Sequence, residues 1–194
     1  MTSLANEPRG VVGGRALRLK FQATVVFLAA CFCLLAAHVV AGELTVTLPI
    51  RCHIEKDQRT WLPEYPVTNG AVSYVEWVLK GDSINCWKEL YDQRTVTTQQ
   101  SIREHLDTWK KMLARIDAKA TVSEEKNPDD SITVTYTSLV GDEMGISRYF
   151  KGKSGIYILS YRVRPKLKSE QTLKIWREII SGSSLAPQYA GKKG

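Results

Sequence analysis

MGISRYFKGKSGIYILSYRV, residues 144–163, decides the fold. Two β-prone runs, 144–150 and 156–163, flank Lys-Gly-Lys-Ser-Gly at 151–155. Glycine and serine between such runs mark a hairpin turn. Upstream, ITVTYTSLV at 132–140 follows the turn formers Asn127-Pro128-Asp129-Asp130, with a further β-prone run at 121–125. Ile132, Val134 and Tyr136 alternate with Thr133, Thr135 and Thr137, which predicts a strand with one wet face. Two successive hairpins commit the chain to antiparallel neighbours. The Gly-Lys-Ser at 152–154 is not a phosphate loop. That motif needs a glycine where Ser147 stands and a helix where a strand follows.

Working outward, residues 71–79 (AVSYVEWVL) are apolar in both phases. Val75, Trp77 and Leu79 share one side, and Val72, Tyr74 and Val78 the other, as in a strand buried on both faces. Gly81-Asp82-Ser83 turns the chain. A helix is predicted from there to about Asp92, capped by Asp82 or Ser83, with Ile84, Trp87 and Leu90 or Tyr91 as its apolar side. Residues 94–99 (RTVTTQ) form a short β-prone run. A longer helix is predicted over 101–118. Ser101 and Glu104 fit a capping box, and Ile102, Leu106, Trp109, Leu113 and Ile116 form one stripe. His105, Asp107, Lys110, Lys111 and Arg115 make its polar side, with the cations suited to the C-terminal dipole. A last helix, 169–181, turns Leu173, Trp176 and Ile180 inward. Residues 185–194, with Lys192 and Lys193, read as a flexible basic tail.

Residues 43–54 (ELTVTLPIRCHI) have strand period, and Pro49 moves that strand to an edge or bulge. Residues 55–69 carry Pro63 and Pro66 and read as a loop in which Trp61 and Tyr65 cover a core edge. The expected fold is α+β: a largely antiparallel sheet of about six or seven strands with three amphipathic helices packed on it. The tryptophans Trp77, Trp87, Trp109 and Trp176 are assigned to the core.

Residues 23–41, ATVVFLAACFCLLAAHVVA, contain no charged residue and follow a leader with Arg9, Arg15, Arg18 and Lys20 against Glu7. Positive flank, apolar run and small residues form the order of a secretory signal, with cleavage after Ala41 or Gly42. The run 22–41 is also long enough to serve as an uncleaved anchor. A third reading acylates Cys31 in Leu28-Ala29-Ala30-Cys31. Residues 1–41, with a basic leader over 1–21, are therefore a signal peptide or signal anchor. Residues 42–184 are a single exported domain, periplasmic or secreted after cleavage, or held outside the cytoplasm by the anchor.

The chain carries 27 basic and 20 acidic residues; removing the leader's four bases and one acid leaves the exported part at +4. That modest charge points to a solvated surface rather than to nucleic acid. Two of the four cysteines, Cys52 and Cys86, lie in the exported part. In an oxidising compartment an even pair is expected to form a disulfide, closing a loop worth about 3–4 kcal/mol. His53 is the only classical metal ligand near them, so no metal site is expected. Glu124, Glu125, Asp129 and Asp130 lack the oxygen pattern and glycine of a calcium loop.

Catalytic signals are sparse. His53 and His105 are the only histidines after the apolar run. There is no G-x-S-x-G, and no constellation of nucleophile, base and orienter. No catalytic residue or cofactor is assigned. The expected function is a non-catalytic binding or accessory domain of the bacterial cell envelope. Its partner is an envelope protein or small ligand, or the membrane if the N-terminal segment is uncleaved. The alternatives are a small periplasmic hydrolase using paired carboxylates and a secretion-system-associated or effector protein.

The run 74–83, YVEWVLKGDS, followed by Trp87-Lys88-Glu89, resembles exported bacterial proteins of uncharacterised function that carry a strand, G-[ED]-[ST], then W-x-E on a helix. Trp77, Gly81, Asp82, Trp87, Trp109 and Trp176 are the structural positions of this pattern. The order of elements also resembles Mog1/PsbP-like α/β sandwiches, a likeness of fold that implies no activity.

Overall fold

The computed structural model describes residues 48–64 and 66–191. The chain divides into residues 1–46 and 47–194, and only the second unit falls among the described residues. The basic leader, the apolar run, Cys31, Ala41, Gly42, Leu44, Val46, Tyr65, Lys192 and Lys193 lie outside them.

Strands β1 (Ile50–Arg51), β2 (Trp61–Pro63), β3 (Val67–Asn69), β4 (Val72–Leu79) and β5 (Glu89–Thr97) precede helix α1 (Ile102–Ile116). Next come β6 (Thr121–Lys126), β7 (Ile132–Ser138), β8 (Glu143–Lys151) and β9 (Gly155–Val163), then α2 (Glu170–Ser181) and β10 (Ser184–Leu185). The main sheet has eight strands in the order β2-β4-β5-β9-β8-β7-β6, with β3 also paired to β4. Every pairing is antiparallel. Both expected hairpins are present, β6–β7 around residues 127–131 and β8–β9 across 152–154. Gly155 is needed where it stands, because a Cβ there would come within 2.0 Å of the Val96 carbonyl oxygen.

The central strands put apolar side chains on both faces, so each face takes a helix. On one face, Leu173, Trp176, Ile179 and Ile180 of α2 pack on Ile146, Phe150, Tyr157, Leu159, Tyr161 and Val163. Trp176 stacks on Tyr161 with centroids 4.5 Å apart. This α2 face also holds the β1–β10 ribbon. Gln93 latches it by accepting from the Ile50 N–H (3.1 Å) and donating to the Ile50 carbonyl (3.0 Å). On the other face, Ile102 and Leu106 of α1 cover Ile132, Val134, Tyr149, Ile156 and Ile158.

Local chemistry fixes the helix ends. Ser101 accepts from the Glu104 N–H and donates its own N–H to the Glu104 carboxylate at 2.7 Å, completing the capping box. Beyond the other end of α1, the Asp117 carboxylate accepts from the N–H groups of Leu139 and Val140 and from the Ser138 hydroxyl. That ties the helix to the β7–β8 turn. At the C-terminus of α2, the buried Arg148 guanidinium donates to the carbonyls of Ile180, Ser181 and Ser183. The first two are carbonyls that a helix terminus leaves without intrahelical partners, and the third follows the cap.

Several expectations need correction: the main sheet has eight strands rather than six or seven, and the loop expected over 55–69 holds β2 and β3. The described residues contain two α-helices, not three. Residues 83–92 are a turn leading into β5: Leu90 and Tyr91 are both buried because they face opposite sides of a covered sheet. The Asp82 carboxylate does cap, but it accepts from the backbone and side chain of Lys88, both at 3.0 Å, and closes a turn. Residues 185–191 are ordered structure: β10 pairs with β1, and Ala190 bridges Gly152. Finally, no disulfide joins Cys52 to Cys86. Without the expected helix, Cys86 lies exposed on the turn after β4, whereas Cys52 packs against the α2-face core.

Candidate ligand cleft

Helix α1 covers only part of its face. Its apolar contacts are with β6–β9, and toward β4 and β5 a cleft of about 310 Å³ opens between helix and sheet. Val72, Val96 and Ile158 rise from the strands; Thr108, Trp109 and Met112 close it from the helix. Its polar lining is Arg94, His105, Tyr149 and Ser160. The volume is at the lower end of the range for sites that enclose small organic ligands.

The walls are settled structure. Trp109 meets Tyr136 edge to face at 5.3 Å. Ser160 is held by the Ser147 hydroxyl at 2.9 Å. Tyr149 is buried, and burial pushes its phenol above the usual range, so it enters any contact as a neutral hydroxyl. Burial, then the nearby Arg94 charge, lowers His105 below its ordinary 6.5, favouring the neutral imidazole.

Arg94 differs from these residues. Its guanidinium is about one-third exposed and lies 5.6 Å from the Tyr74 ring. Its nearest carboxylate oxygen, Asp92 Oδ1, is 3.7 Å away, beyond hydrogen-bond range. Among the described residues the Arg94 side chain makes no hydrogen bond, and its Nε is buried without a partner. Behind it, Arg162 Nη2 donates to Glu76 Oε1 and Asp92 Oδ2, both at 2.9 Å. Asp92 is fully buried, and its Oδ1 also lacks a hydrogen bond. Burial raises the Glu76 carboxyl above its ordinary range; Arg162 opposes that and Asp92 adds to it. The ladder ends at Trp87, whose ring lies against the guanidinium groups of Arg162 and Arg164 at 5.7 and 4.2 Å.

A second hollow of about 240 Å³ lies across the sheet, where Ile54, Glu55, Asp57 and Arg59 meet Trp61, Trp77 and Tyr91. Its buried charges are matched. Asp57 accepts from Arg59 and from the Trp176 indole (2.9 Å), and Arg59 also donates to Glu89 at 2.7 Å. Trp61 packs edge-on to Tyr91 and Trp176, covering the core edge as expected.

The positions singled out from sequence therefore scatter. Trp77 stacks on Tyr91, and Trp176 is fully buried in the α2-face core. Gly81, with φ +98°, and Asp82 build the turn after β4. Trp87 shields Arg162, and of the four tryptophans assigned to the core only Trp109 lines the cleft. His105, read as part of a wet helix side, faces the cleft and is half-buried. Arg94, Asp92 and Glu76 carried no sequence signal, because strand pairing alone brings them together. The loop acids are bound separately: Glu124 to Arg103 and Lys110, Asp129 to Arg148, Asp130 to Lys126. Among the described residues no helix is long and apolar enough to cross a membrane. No protein-family model matches the chain, and no curated protein matches it.

Proposed function

We propose that the chain is an exported, non-catalytic binding or accessory domain of the bacterial cell envelope, whose small ligand enters the cleft beside α1. One observation carries this reading. A half-buried guanidinium without a hydrogen-bond partner stands at the floor of an apolar cleft. Buried polar groups in folded proteins are normally satisfied, and of the four buried polar atoms without a partner among the described residues, Arg94 Nε belongs to the one side chain that lines this cleft. Export rests on the sequence of residues 1–42 alone, and the likeness to exported bacterial proteins on the run 74–89.

The carboxylate-hydrolase alternative would use Glu76 and Asp92, cross-strand partners in β4 and β5. Both are bound by Arg162, and neither lines the cleft. That arrangement favours a supporting ion network over an acid–base pair. A secretion-system or effector role would use the same cleft, and no residue separates it from the first reading.

The test is retention of envelope components by the purified protein and by Thr108→Trp, which fills the cleft from an exposed helix position. A small molecule retained by the parent and lost in the variant supports the reading. Equal retention by both, or none by either, removes it. Intact mass after cell fractionation tests export: loss of residues 1–41 or 1–42 from a soluble envelope species is the expected result.

A further inference from the structure

Resting on the cleft reading above, we infer that the ligand is an amphipathic monocarboxylate, its acid group on Arg94 and its apolar body against Trp109, Met112, Val72, Val96 and Ile158.

The argument begins with donor geometry. A guanidinium presents a planar fork of N–H groups that matches a carboxylate with two parallel bonds. Arg148, on the opposite face, uses its fork fully, with bonds to Ser131, Asp129 and three carbonyls. Arg94 uses none of it among the described residues. Asp92 is the resident carboxylate, yet it accepts from Arg162 and stops 3.7 Å short of Arg94. Asp92 cannot simply swing across, since it is fully buried and its other oxygen is bound. Its charge holds the guanidinium in place while leaving the N–H groups open.

Charge count selects the head group. Among the described residues the cation lining the cleft is Arg94, ion-paired to Asp92 but with its N–H groups open, together with neutral His105 and the hydroxyls of Ser160, Tyr149 and Thr108. Asp92 and Glu76 stand behind the arginine, and Arg162 is shared between them. With Asp92 and Glu76 ionised these four groups sum to zero, so a monoanion adds one net negative charge and a dianion two. A dianionic phosphate would bring the larger excess of negative charge beside the two carboxylates, the more repulsive arrangement. The rest of the cleft is apolar: three branched aliphatic side chains, an indole face and a half-exposed methionine thioether, whose flexibility suits irregular apolar shapes. An apolar tail thus has a wall to bury against, and a small hydrophilic acid does not use it.

The experiment is calorimetric titration of the protein, as the cell processes it, with 4-phenylbutyrate, 4-phenylbutan-1-ol and 4-phenylbutyl phosphate. Each is titrated against the parent, Arg94→Gln and Arg94→Lys. Charge-assisted bonds of this kind carry about 1.5–3 kcal/mol, roughly ten- to a hundredfold in affinity. The acid should therefore bind the parent that much more tightly than the alcohol does. Arg94→Gln should remove the advantage while leaving the alcohol unchanged, which also shows that the variant keeps its cleft. Arg94→Lys should recover part of it. Tightest binding of the phosphate, or acid binding indifferent to Arg94→Gln, overturns the monocarboxylate while the cleft reading stands. Binding of none of the three by the parent, or binding unaffected by Thr108→Trp, overturns both.

Discussion

Arg148 and Arg94 stand on opposite faces of one sheet, two strands apart, and are treated in opposite ways. Arg148 is almost wholly buried, and its fork is spent on five acceptors at the end of α2. Arg94 keeps access to solvent through the cleft, and its side chain has no hydrogen-bond acceptor among the described residues. On the α2 face the buried charges are matched: the Trp176 indole, Asp57, Arg59, Glu89 and the Tyr161 hydroxyl form one connected network, although the Trp61 indole N–H beside it has no partner. The α1 face is closed only over β6–β9 and left open over β4 and β5. An arginine that staples a helix end is a folding element, and one whose N–H groups open on a cleft without an acceptor is available for recognition.

The largest expected effect tests that division directly. Replacing Arg148 with Ala deletes all five of its hydrogen bonds, including those to the carbonyls of Ile180, Ser181 and Ser183, at a cost of about 3 kcal/mol. Arg94→Gln removes no hydrogen bond but does remove the 3.7 Å ion pair to buried Asp92, so unfolding by urea should lose about 0.5–1 kcal/mol, well short of the Arg148 loss. Comparable losses in the two variants would break the comparison, because Arg94 would then be structural as well.

The two faces should also titrate in opposite senses. Burial pushes Asp57 up, but the side-chain and backbone bonds of Arg59, with the Trp176 indole, outweigh it, so its carboxyl sits below its ordinary 3.8. The stability Asp57 supplies is present above that ordinary value and is lost as pH falls through the lower folded one. Glu76, on the α1 face, sits above its ordinary 4.5, chiefly through burial. Its protonated form favours the folded state. That contribution is present below 4.5 and is lost as pH rises through the raised value. Urea unfolding between pH 2 and 7 should show the deficit of Asp57→Asn shrinking in acid. Over the same range Glu76→Gln should gain on the parent as pH rises. Parallel curves for the two variants would mean that the ladder behind Arg94 is as well matched as the network behind Trp176.

Much of the frame was legible because its signals are local. The capping box at Ser101 and Glu104, the Asn127-Pro128-Asp129-Asp130 turn and the stripe Leu173, Trp176, Ile180 each need only a few neighbouring residues. Residues 83–92 misled because Ile84, Trp87, Leu90 and Tyr91 satisfy helical spacing, while a doubly covered strand imposes no alternation by which to exclude it. Losing that strand hid the site. Asp92 and Arg94 belong to β5, and their partners Glu76, Ser160 and Arg162 come from strands distant in sequence. His105 was assigned to a wet face because the residues opposite it, Arg94 among them, come from strands and are brought to the helix only by the fold.

The cysteines give the smallest effect and the sharpest check on the same misreading. A helix over 83–92 would have carried Cys86 inward beside an apolar stripe. The observed turn leaves it exposed, with its neighbour Trp87 leaning toward Arg162 on the α1 face. Cys52 belongs to the opposite face, near Gln93, where burial and then Glu55 raise its thiol to about 11. A thiolate is the reactive form, so the two should separate kinetically. Cys86 should alkylate rapidly at neutral pH, and Cys52 only as the protein unfolds. Reductant should leave the unfolding midpoint in place, whereas a bridge over this loop would register about 3–4 kcal/mol on reduction. Cys86→Ser should be silent to within about 0.5 kcal/mol. Equal protection of both thiols in the folded protein would place Cys86 inside, restore the helix, and move Asp92 and Arg94 off the sheet that makes them a site.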